Sequence, residues 1–355
     1  MGKKVMVAMS GGVDSSVAAM LLTDEGYNVS GVTMCFGIAA EEDSVRCCGA
    51  AAIDDAKRVC DRLKIPHYIF DYALELEDMV IAKFISEYKN GRTPNPCVEC
   101  NQHLKFGSLL DKALMLGFDF LATGHYAAIE KNNEDGYFLA RSKDKKKDQT
   151  YFLYVVPYEK LGKILFPLSS LTKDEVRDMA KKASLPVAEK QESQDICFVT
   201  QKNYQEFLLG RGQELKPGPI VDMQGKIMGR HRGIIFHTIG QRGGLGISHA
   251  TPLYVVSIDS DNNKIVVGEK KDLMARGLVA GDVNMLAQNW PEKVYAKIRY
   301  RKKEALCAVT DENKRLKVTF TEEQEAITPG QSVVFYDHDR VLGGGIIEEV
   351  LHGTG

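Results

Sequence analysis

The stretch Ser10-Gly11-Gly12-Val13-Asp14-Ser15-Ser16 constrains this chain more than any other. The apolar run Val5-Met6-Val7-Ala8-Met9 precedes it and Val17-Ala18-Ala19-Met20-Leu21-Leu22 follows it. That pattern predicts a buried strand, a tight glycine turn and the first turn of a helix. Such a junction suits an anion. Gly11 and Gly12 tolerate φ > 0 and can bring N–H groups close to phosphate oxygens, while Ser15 and Ser16 place hydroxyls at the positive end of the helix. No Gly-Lys-Ser/Thr follows the glycines, so this is not a Walker A loop. Asp14 would repel a bare phosphate, which points to a bridging Mg²⁺ that draws oxygen ligands from carboxylate and phosphate alike. Asp14 lies in a glycine turn expected to be exposed, so its removal is expected to cost chemistry and leave the melting temperature nearly unchanged.

Strand and helix then alternate. Residues 27–35 read as a second buried strand ending near Met34, and Ala52, Ile53, Ala56, Val59, Cys60 and Leu63 recur at helical spacing. Pro66 breaks the chain before a third strand, 67–70, and Leu76, Met79, Val80, Phe84 and Tyr88 mark another amphipathic helix. Phe106, Leu109, Leu110 and Ala113 mark one more, ahead of a strand over 118–122. This succession is the signature of a parallel α/β sheet, whose ligand crevice borders the carboxyl ends of its strands. Thr172 and Glu175 form a capping box, read as structural. Beyond Cys197 the chain turns glycine-rich with short strands to about residue 270, and Pro217-Gly218-Pro219 breaks it. In the last segment Val294, Ala296, Ile298 and Tyr300 alternate with Tyr295, Lys297, Arg299 and Arg301, and Thr328-Pro329-Gly330-Gln331 supplies a turn, which predicts a small β-barrel. The expected domains are 1–207, 208–277 and 278–355.

Chemistry concentrates on cysteines. There are eight in 355 residues, including the adjacent Cys47-Cys48, which does not resemble a secreted disulfide framework and predicts reduced thiols in a cytoplasmic protein. No apolar run approaches the roughly 20 residues of a membrane span, so no membrane partner is expected. In Thr93-Pro94-Asn95-Pro96-Cys97-Val98-Glu99-Cys100-Asn101 the two prolines predict an extended surface loop with reachable thiols. Cys-x-x-Cys could be half a zinc site, a redox pair or a nucleophile with a neighbour; a second pair at zinc spacing is missing. Cys197, between Ile196 and Phe198, reads by pattern alone as a buried thiol. Net charge is only -2, so any nucleic-acid partner must be held by local basic patches such as Arg299, Arg301, Lys302 and Lys303.

The glycine turn resembles the PP-loop of the ATP pyrophosphatases, and along essentially its whole length the chain resembles the tRNA-specific 2-thiouridylase family. The likeness rests on Ser10–Ser16, on Thr93–Asn101, on Ala122-Thr123-Gly124-His125-Tyr126 and on Ser193–Phe198. It implies an α/β fold: a parallel-sheet PP-loop ATP pyrophosphatase domain, a small central domain and a C-terminal β-barrel that binds tRNA. It further implies ATP contacts at Ala8, Met9, Ser10, Gly11, Gly12, Val13, Asp14, Ser15, Met34 and Gly124, with Mg²⁺ on Asp14. For tRNA it implies Asn95, Pro96, Cys97, His125, Lys147, Asp148, Gln149, Arg299, Tyr300 and Gln331. Cys100 becomes the nucleophile and Cys197 the persulfide carrier. Cys97 departs from the Asp common at its position.

The activity so implied is ATP-dependent 2-thiolation of the wobble uridine in a tRNA anticodon loop, through an adenylated uracil. A sulfur-relay protein or a cysteine desulfurase would supply the persulfide. An iron-sulfur cluster on Cys97, Cys100 and Cys197 is the alternative sulfur chemistry. Two rivals stand beside this: a PP-loop synthetase acting on a small molecule, and a non-catalytic RNA-binding protein that uses the loop as a nucleotide switch.

Overall fold

The computed structural model describes residues 2–37, 50–132, 136–191, 196–199, 203–212 and 215–352. Cys47, Cys48 and the Ser193–Asp195 part of the Cys197 motif lie outside them. The chain divides into two compact units: Met1–Val80, Cys97–Phe198 and Asp339–Val341 form the first; Ile81–Pro96, Val199–His338 and Leu342–Gly355 form the second.

In the first unit β1 (Lys4–Ala8), α1 (Val13–Asp24), β2 (Asn28–Cys35), α2 (Ala50–Leu63) and β3 (His67–Asp71) follow in order, then α3 (Ala73–Leu76). The strand expected over 118–122 is β4 (Phe120–Thr123); β5 (Ala128–Asn132) and β6 (Gly136–Ala140) make a hairpin, and β7 (Ile164–Leu165) is a short edge. The sheet order is β3-β2-β1-β4-β7 and every pairing in it is parallel. Helix α1 is apolar on nearly all sides because it is covered on both. Ala19 and Leu22 pack with Val5, Val7 and α2 residues Ala56 and Val59. Val13, Val17 and Ala18 pack with Tyr126, Leu168, Val176 and Ala180. An all-round apolar helix is what such a sandwiched position requires.

The second unit holds α4 (Ala82–Lys89) and continues into two β-structures. The amphipathic pattern from Leu76 to Tyr88 is therefore not one α-helix: a π-helical turn, Glu77–Ile81, separates α3 from α4. Sequence periodicity cannot see that insertion, because the apolar spacing survives it. Strands β8 (Gly218–Val221), β9 (Ile227–His231), β10 (Tyr254–Asp259) and β11 (Lys264–Gly268) form a four-stranded sheet in the order β10-β11-β8-β9. The last six strands are β12 (Met274–Met285), β13 (Val294–Lys297), β14 (Ala305–Glu312), β15 (Arg315–Glu325), β16 (Ser332–Asp337) and β17 (Arg340–Leu351). They follow the order β12-β15-β14-β13-β16-β17, and antiparallel pairing of β12 with β17 closes the barrel. The inward positions Val294, Ala296, Ile298, Leu316, Val318 and Phe320 fill its core, as their period-two alternation predicts.

Candidate active site

The glycine turn sits at the carboxyl end of β1, between β2 and β4. Gly11 takes φ 68°, and a Cβ there would lie 2.3 Å from the Ala52 carbonyl oxygen, so only glycine lets the turn pack on α2. Gly12 is extended, with φ -106° and ψ 169°, so one left-handed residue and not two makes the turn. Ser16 Oγ donates to the Gly12 carbonyl at 2.8 Å, Ser15 Oγ donates to the same oxygen at 3.3 Å, and Ser10 N donates to Ser15 Oγ at 3.2 Å. The serine hydroxyls thus brace the turn from within. From β4 comes Gly124, where a Cβ would stand 2.6 Å from Ser15 N and 2.7 Å from the Asp14 carbonyl carbon. That closeness is why the strand can end against the first turn of α1. Met34, half-buried near the end of β2, pairs in register with Phe70.

Asp14 is not a free surface carboxylate. Its two oxygens receive the Lys173 ammonium at 2.7 and 2.8 Å, and Oδ1 also accepts Tyr126 Oη–H at 2.9 Å. Lys173 is buried at the first position of α7 (Lys173–Lys182), after α4, α5 (Pro96–Glu99) and α6 (Leu110–Met115) in chain order. The Thr172–Glu175 capping box that starts α7 is present on both sides, so it aims a lysine at the glycine turn. A second lysine, Lys190, donates to the Gly11 carbonyl at 2.9 Å and to Asp55 Oδ2 at 2.7 Å. Burial pushes the Asp55 carboxyl up, but Lys190 and Arg58 outweigh it and leave the group below its usual range. Lys173, Lys190 and Tyr126 carry no spacing signal, since they reach the turn from more than a hundred residues downstream. A single carboxylate suits Mg²⁺ only if substrate phosphates complete the coordination and Lys173 yields its place.

The cysteine segment departs from the expected loop. Pro96–Glu99 is helical, and Cys100 opens a π-helix over Cys100–Leu109. Cys97 and Cys197 are exposed but Cys100 is buried at 7% exposure, so the nucleophile proposed by resemblance is not surface-reachable. Burial pushes the Cys100 thiol up and the nearby Lys105 ammonium pulls it back only in part. Cys100 stands at the start of the π-helix, where the dipole would lower a thiol, but desolvation wins here. Cys97 is likewise raised, by crowding around its sulfur, against the pull of Lys105. Lys105 in turn donates to Asn101 Oδ1 at 3.0 Å, and Asn101 Nδ2 donates to the Phe152 carbonyl at 2.8 Å, which pins the start of the π-helix. Among the described residues no group of three or more His, Cys, Asp or Glu side chains is gathered to hold a metal ion. Cys97, Cys100 and Cys197 therefore do not fit an iron-sulfur cluster as three converging ligands.

His125 bonds through Nδ1 to Thr123 Oγ1 at 2.7 Å, and its ring centroid lies 6.0 Å from those of Phe106 and Phe166. Burial, with Lys105 adding to it, holds this imidazole well below its usual pKa, so it is neutral at pH 7. A neutral ring between aromatics suits stacking or a base edge and not phosphate pairing. In the segment Lys147-Asp148-Gln149, Asp148 is buried and accepts Thr150 Oγ1–H at 2.8 Å, while Gln149 Oε1 accepts Tyr126 N–H at 2.9 Å.

In the second unit, Arg299 is turned inward: its Nη2 donates to the Ile239 carbonyl at 3.1 Å, to the Ala326 carbonyl at 3.0 Å and to Thr328 Oγ1. Lys302 donates to the Glu325 carbonyl. Arg301 and Lys303 remain exposed, so half of the basic cluster is structural. Tyr300 is half-buried with the Lys297 ammonium 5.4 Å from its ring. Gln331 Nε2 donates to the carbonyls of Thr93 at 2.9 Å and Pro94 at 3.3 Å, and Thr93 N donates to the Pro329 carbonyl at 2.9 Å. The barrel turn thereby fixes the residues just before Asn95 and Pro96.

Residues 3–201 match the tRNA methyl transferase HUP domain family, 205–269 the tRNA methyl transferase PRC-barrel domain and 275–347 the aminomethyltransferase beta-barrel domain. The tRNA-specific 2-thiouridylase MnmA 1 of Syntrophus aciditrophicus is 57% identical over 350 residues, 99% of this chain and 94% of that protein. The tRNA-specific 2-thiouridylase MnmA of Carboxydothermus hydrogenoformans is 48% identical over 359 residues, 98% of each chain. That of Caldicellulosiruptor saccharolyticus is 49% identical over 360 residues, 99% of this chain and 100% of the relative. Identity at that level, end to end and across all three matched regions, carries the conclusion that the chain belongs to the tRNA-specific 2-thiouridylase family.

Proposed function

We propose that this protein is an ATP-dependent tRNA sulfurtransferase that converts the wobble uridine to 2-thiouridine. The observation that carries the reading is the convergence, at the carboxyl ends of the central strands β1 and β4, of a non-Walker glycine turn, the Asp14 carboxylate held by Lys173 and a strand-end glycine that touches that turn. Ala8–Ser15, Met34 and Gly124 would line the nucleotide, and Mg²⁺ would join Asp14 to its phosphates. The uracil C2 oxygen attacks the α-phosphorus and pyrophosphate leaves, which turns a poor leaving oxygen into AMP. Sulfur comes from a persulfide on exposed Cys197, received from a relay protein or a cysteine desulfurase. Either that persulfide attacks C2 and expels AMP, and Cys100 then attacks the Cys197 sulfur of the C2–S–S–Cys197 adduct to release 2-thiouridine, or Cys100 first forms a disulfide with Cys197 and releases hydrosulfide, which attacks C2 and expels AMP; both routes leave a Cys100–Cys197 disulfide that an external thiol must reduce. Cys100 starts as a buried neutral thiol, so either route needs a proton acceptor or an opening of the π-helix.

For tRNA we assign two kinds of contact. Asn95, Pro96, Cys97, His125, Lys147 and Tyr300 meet the anticodon arm, with neutral His125 at an unstacked base and Lys147 on phosphate. Asp148, Gln149, Arg299 and Gln331 act one step back, by holding the loops that make those contacts. We assign residues 1–207 to nucleotide chemistry, 208–277 to a central domain and 278–355 to the barrel. Among the described residues no helix is long and apolar enough to cross a membrane; we place the reaction in the cytoplasm with its tRNA substrate. Measuring AMP and pyrophosphate release from ATP with and without tRNA tests the reading. Release that requires tRNA supports it; release that ignores tRNA favours a small-molecule synthetase, and no release at all favours a nucleotide switch.

A further inference from the structure

Lys105 is a half-buried cation beside the thiols, and among the described residues its ammonium bonds to the Asn101 side-chain carbonyl at 3.0 Å and to no carboxylate. The flanking acids are engaged elsewhere: Glu99 Oε2 lies 3.4 Å from His103 Nε2, and Asp111 accepts Lys160 Nζ at 2.7 Å. The π-helix explains how the lysine comes to stand there. In an α-helix five residues turn about 500°, which would leave Lys105 about 140° around the axis from Cys100. A π-helix bonds each residue to the fifth one along and so brings such a pair onto one face. That spacing is realised here: Leu110 N–H bonds to the Lys105 carbonyl, and Ser108 Oγ donates to the His103 carbonyl at 3.1 Å. Cys100 and Lys105 are one such pair, at the head of the same element. The consequence is electrostatic. The lysine charge favours the thiolates of Cys100 and Cys97 against the burial that opposes them, and it disfavours a proton on His125.

We propose that Lys105 is a positioning residue for sulfur transfer, placed by the π-helix to serve as counter-ion to the Cys100 thiolate when that sulfur attacks Cys197. The proposal rests on the sulfur chemistry set out above and adds to it a charge that lies outside the Thr93–Asn101 motif. With a persulfide on Cys197, the Cys100 thiol gives its proton to water and its sulfur bonds to Cys197 Sγ; the bond from Sγ to the outer sulfur breaks, and hydrosulfide leaves with that electron pair. The two cysteines are oxidised to a disulfide and the outer sulfur is reduced. Lys105 keeps its protons throughout and offsets the negative charge as it passes from Cys100 Sγ to the departing sulfur. The lack of a carboxylate partner suits this role, because an ammonium neutralised by an acid would have little field left to offer. Other titratable neighbours do not replace it, since His125 is held neutral and His103 is turned to Glu99. Asn101, pinned to the Phe152 carbonyl, fixes the direction of the ammonium.

The test is hydrosulfide release from the full chain, loaded with sulfur from polysulfide and incubated with an anticodon stem-loop RNA but no ATP, over a series of pH values. Lys105→Gln keeps a donor for Asn101 and drops the charge, Lys105→Arg keeps the charge, and Cys100→Ser sets the background. Losing one nearby cation cuts the thiolate fraction by roughly tenfold or more, of which a more basic and so more nucleophilic sulfur recovers about threefold. Release by Lys105→Gln should therefore be slower by roughly three- to tenfold near neutral pH, with the gap closing as the pH rises, while Lys105→Arg runs close to wild type. Thermal melts check that each variant is folded. A folded Lys105→Gln that matches wild type overturns the proposal. So does a deficit that is equal at every pH or is shared by Lys105→Arg, because either marks a structural role. Weaker RNA binding by Lys105→Gln with release unchanged makes the lysine a phosphate contact and also overturns it. Release that persists in Cys100→Ser overturns the Cys100–Cys197 reading and this proposal with it, which separates that failure from a failure of Lys105 alone.

Discussion

Replacing Asp14 by alanine should destabilise the protein as well as silence it. The sequence places this residue in a glycine turn, where a change would affect chemistry alone; the structure gives it a buried lysine as partner. Breaking an exposed ion pair costs roughly 0–1 kcal/mol, and removing one member of a buried pair costs roughly 3–5 kcal/mol. The Lys173 side chain is 9% exposed and that of Asp14 32% exposed, so the pair lies between these limits and Asp14→Ala should cost about 2 kcal/mol. The hydroxyl of Tyr126 loses its acceptor in the same step. With an unfolding entropy of roughly 2.1 cal/mol/K per residue over 355 residues, the melting temperature should fall by about 3 °C. Scanning calorimetry of wild type, Asp14→Ala and Asp14→Ala/Lys173→Met measures it. The double variant removes both charges and should recover most of the loss, because the cost is that of a stranded ammonium and not of a lost attraction. If Asp14→Ala melts with the wild type, the ion pair contributes nothing and the reasoning is refuted.

Arg299→Ala should destabilise the second unit, since three acceptors lose their donor together; a variant that melts normally but loses RNA affinity and one unit of salt slope would return Arg299 to direct phosphate contact. Brief alkylation of the native protein followed by peptide mapping should label Cys197 quickly and Cys100 only after denaturation, and rapid labelling of Cys100 would contradict its burial. Burial lowers the pKa of His67, His125, His231 and His237, the last to about 4. The unfolded chain then binds more protons than the folded one below about pH 6.5, so stability should fall as the pH drops from there towards 4, with His237 contributing about 3 kcal/mol. Urea unfolding at a series of pH values measures that slope, and a flat or rising profile on acidification would rule it out.

Much of the architecture was legible because the signals were local. The parallel sheet follows from apolar runs alternating with helical spacing, and the barrel from period-two alternation about Val294 to Tyr300. The glycine turn was found in place, though Gly12 proved extended. What escaped reading was what depends on distant partners. Nothing near Thr172 says that the lysine after a capping box will meet Asp14, and nothing near Arg299 says that its guanidinium will be spent on carbonyls of Ile239 and Ala326. A one-signed charge cluster on a strand looks like a binding face until the alternation is followed past Ile298, just beyond the end of β13, where Arg299 turns inward instead of out. Cys100 shows the same limit: two prolines argued for an exposed loop, while the π-helix that buries the thiol is set by contacts such as Asn101 with Phe152.

The most direct measurement is mass spectrometry of nucleosides digested from tRNA after incubation with this protein, ATP, Mg²⁺ and a sulfide source. Replacement of one oxygen by sulfur on the wobble uridine, dependent on ATP, is the predicted result. Unmodified uridine, or a methyl increment in place of sulfur, would contradict it.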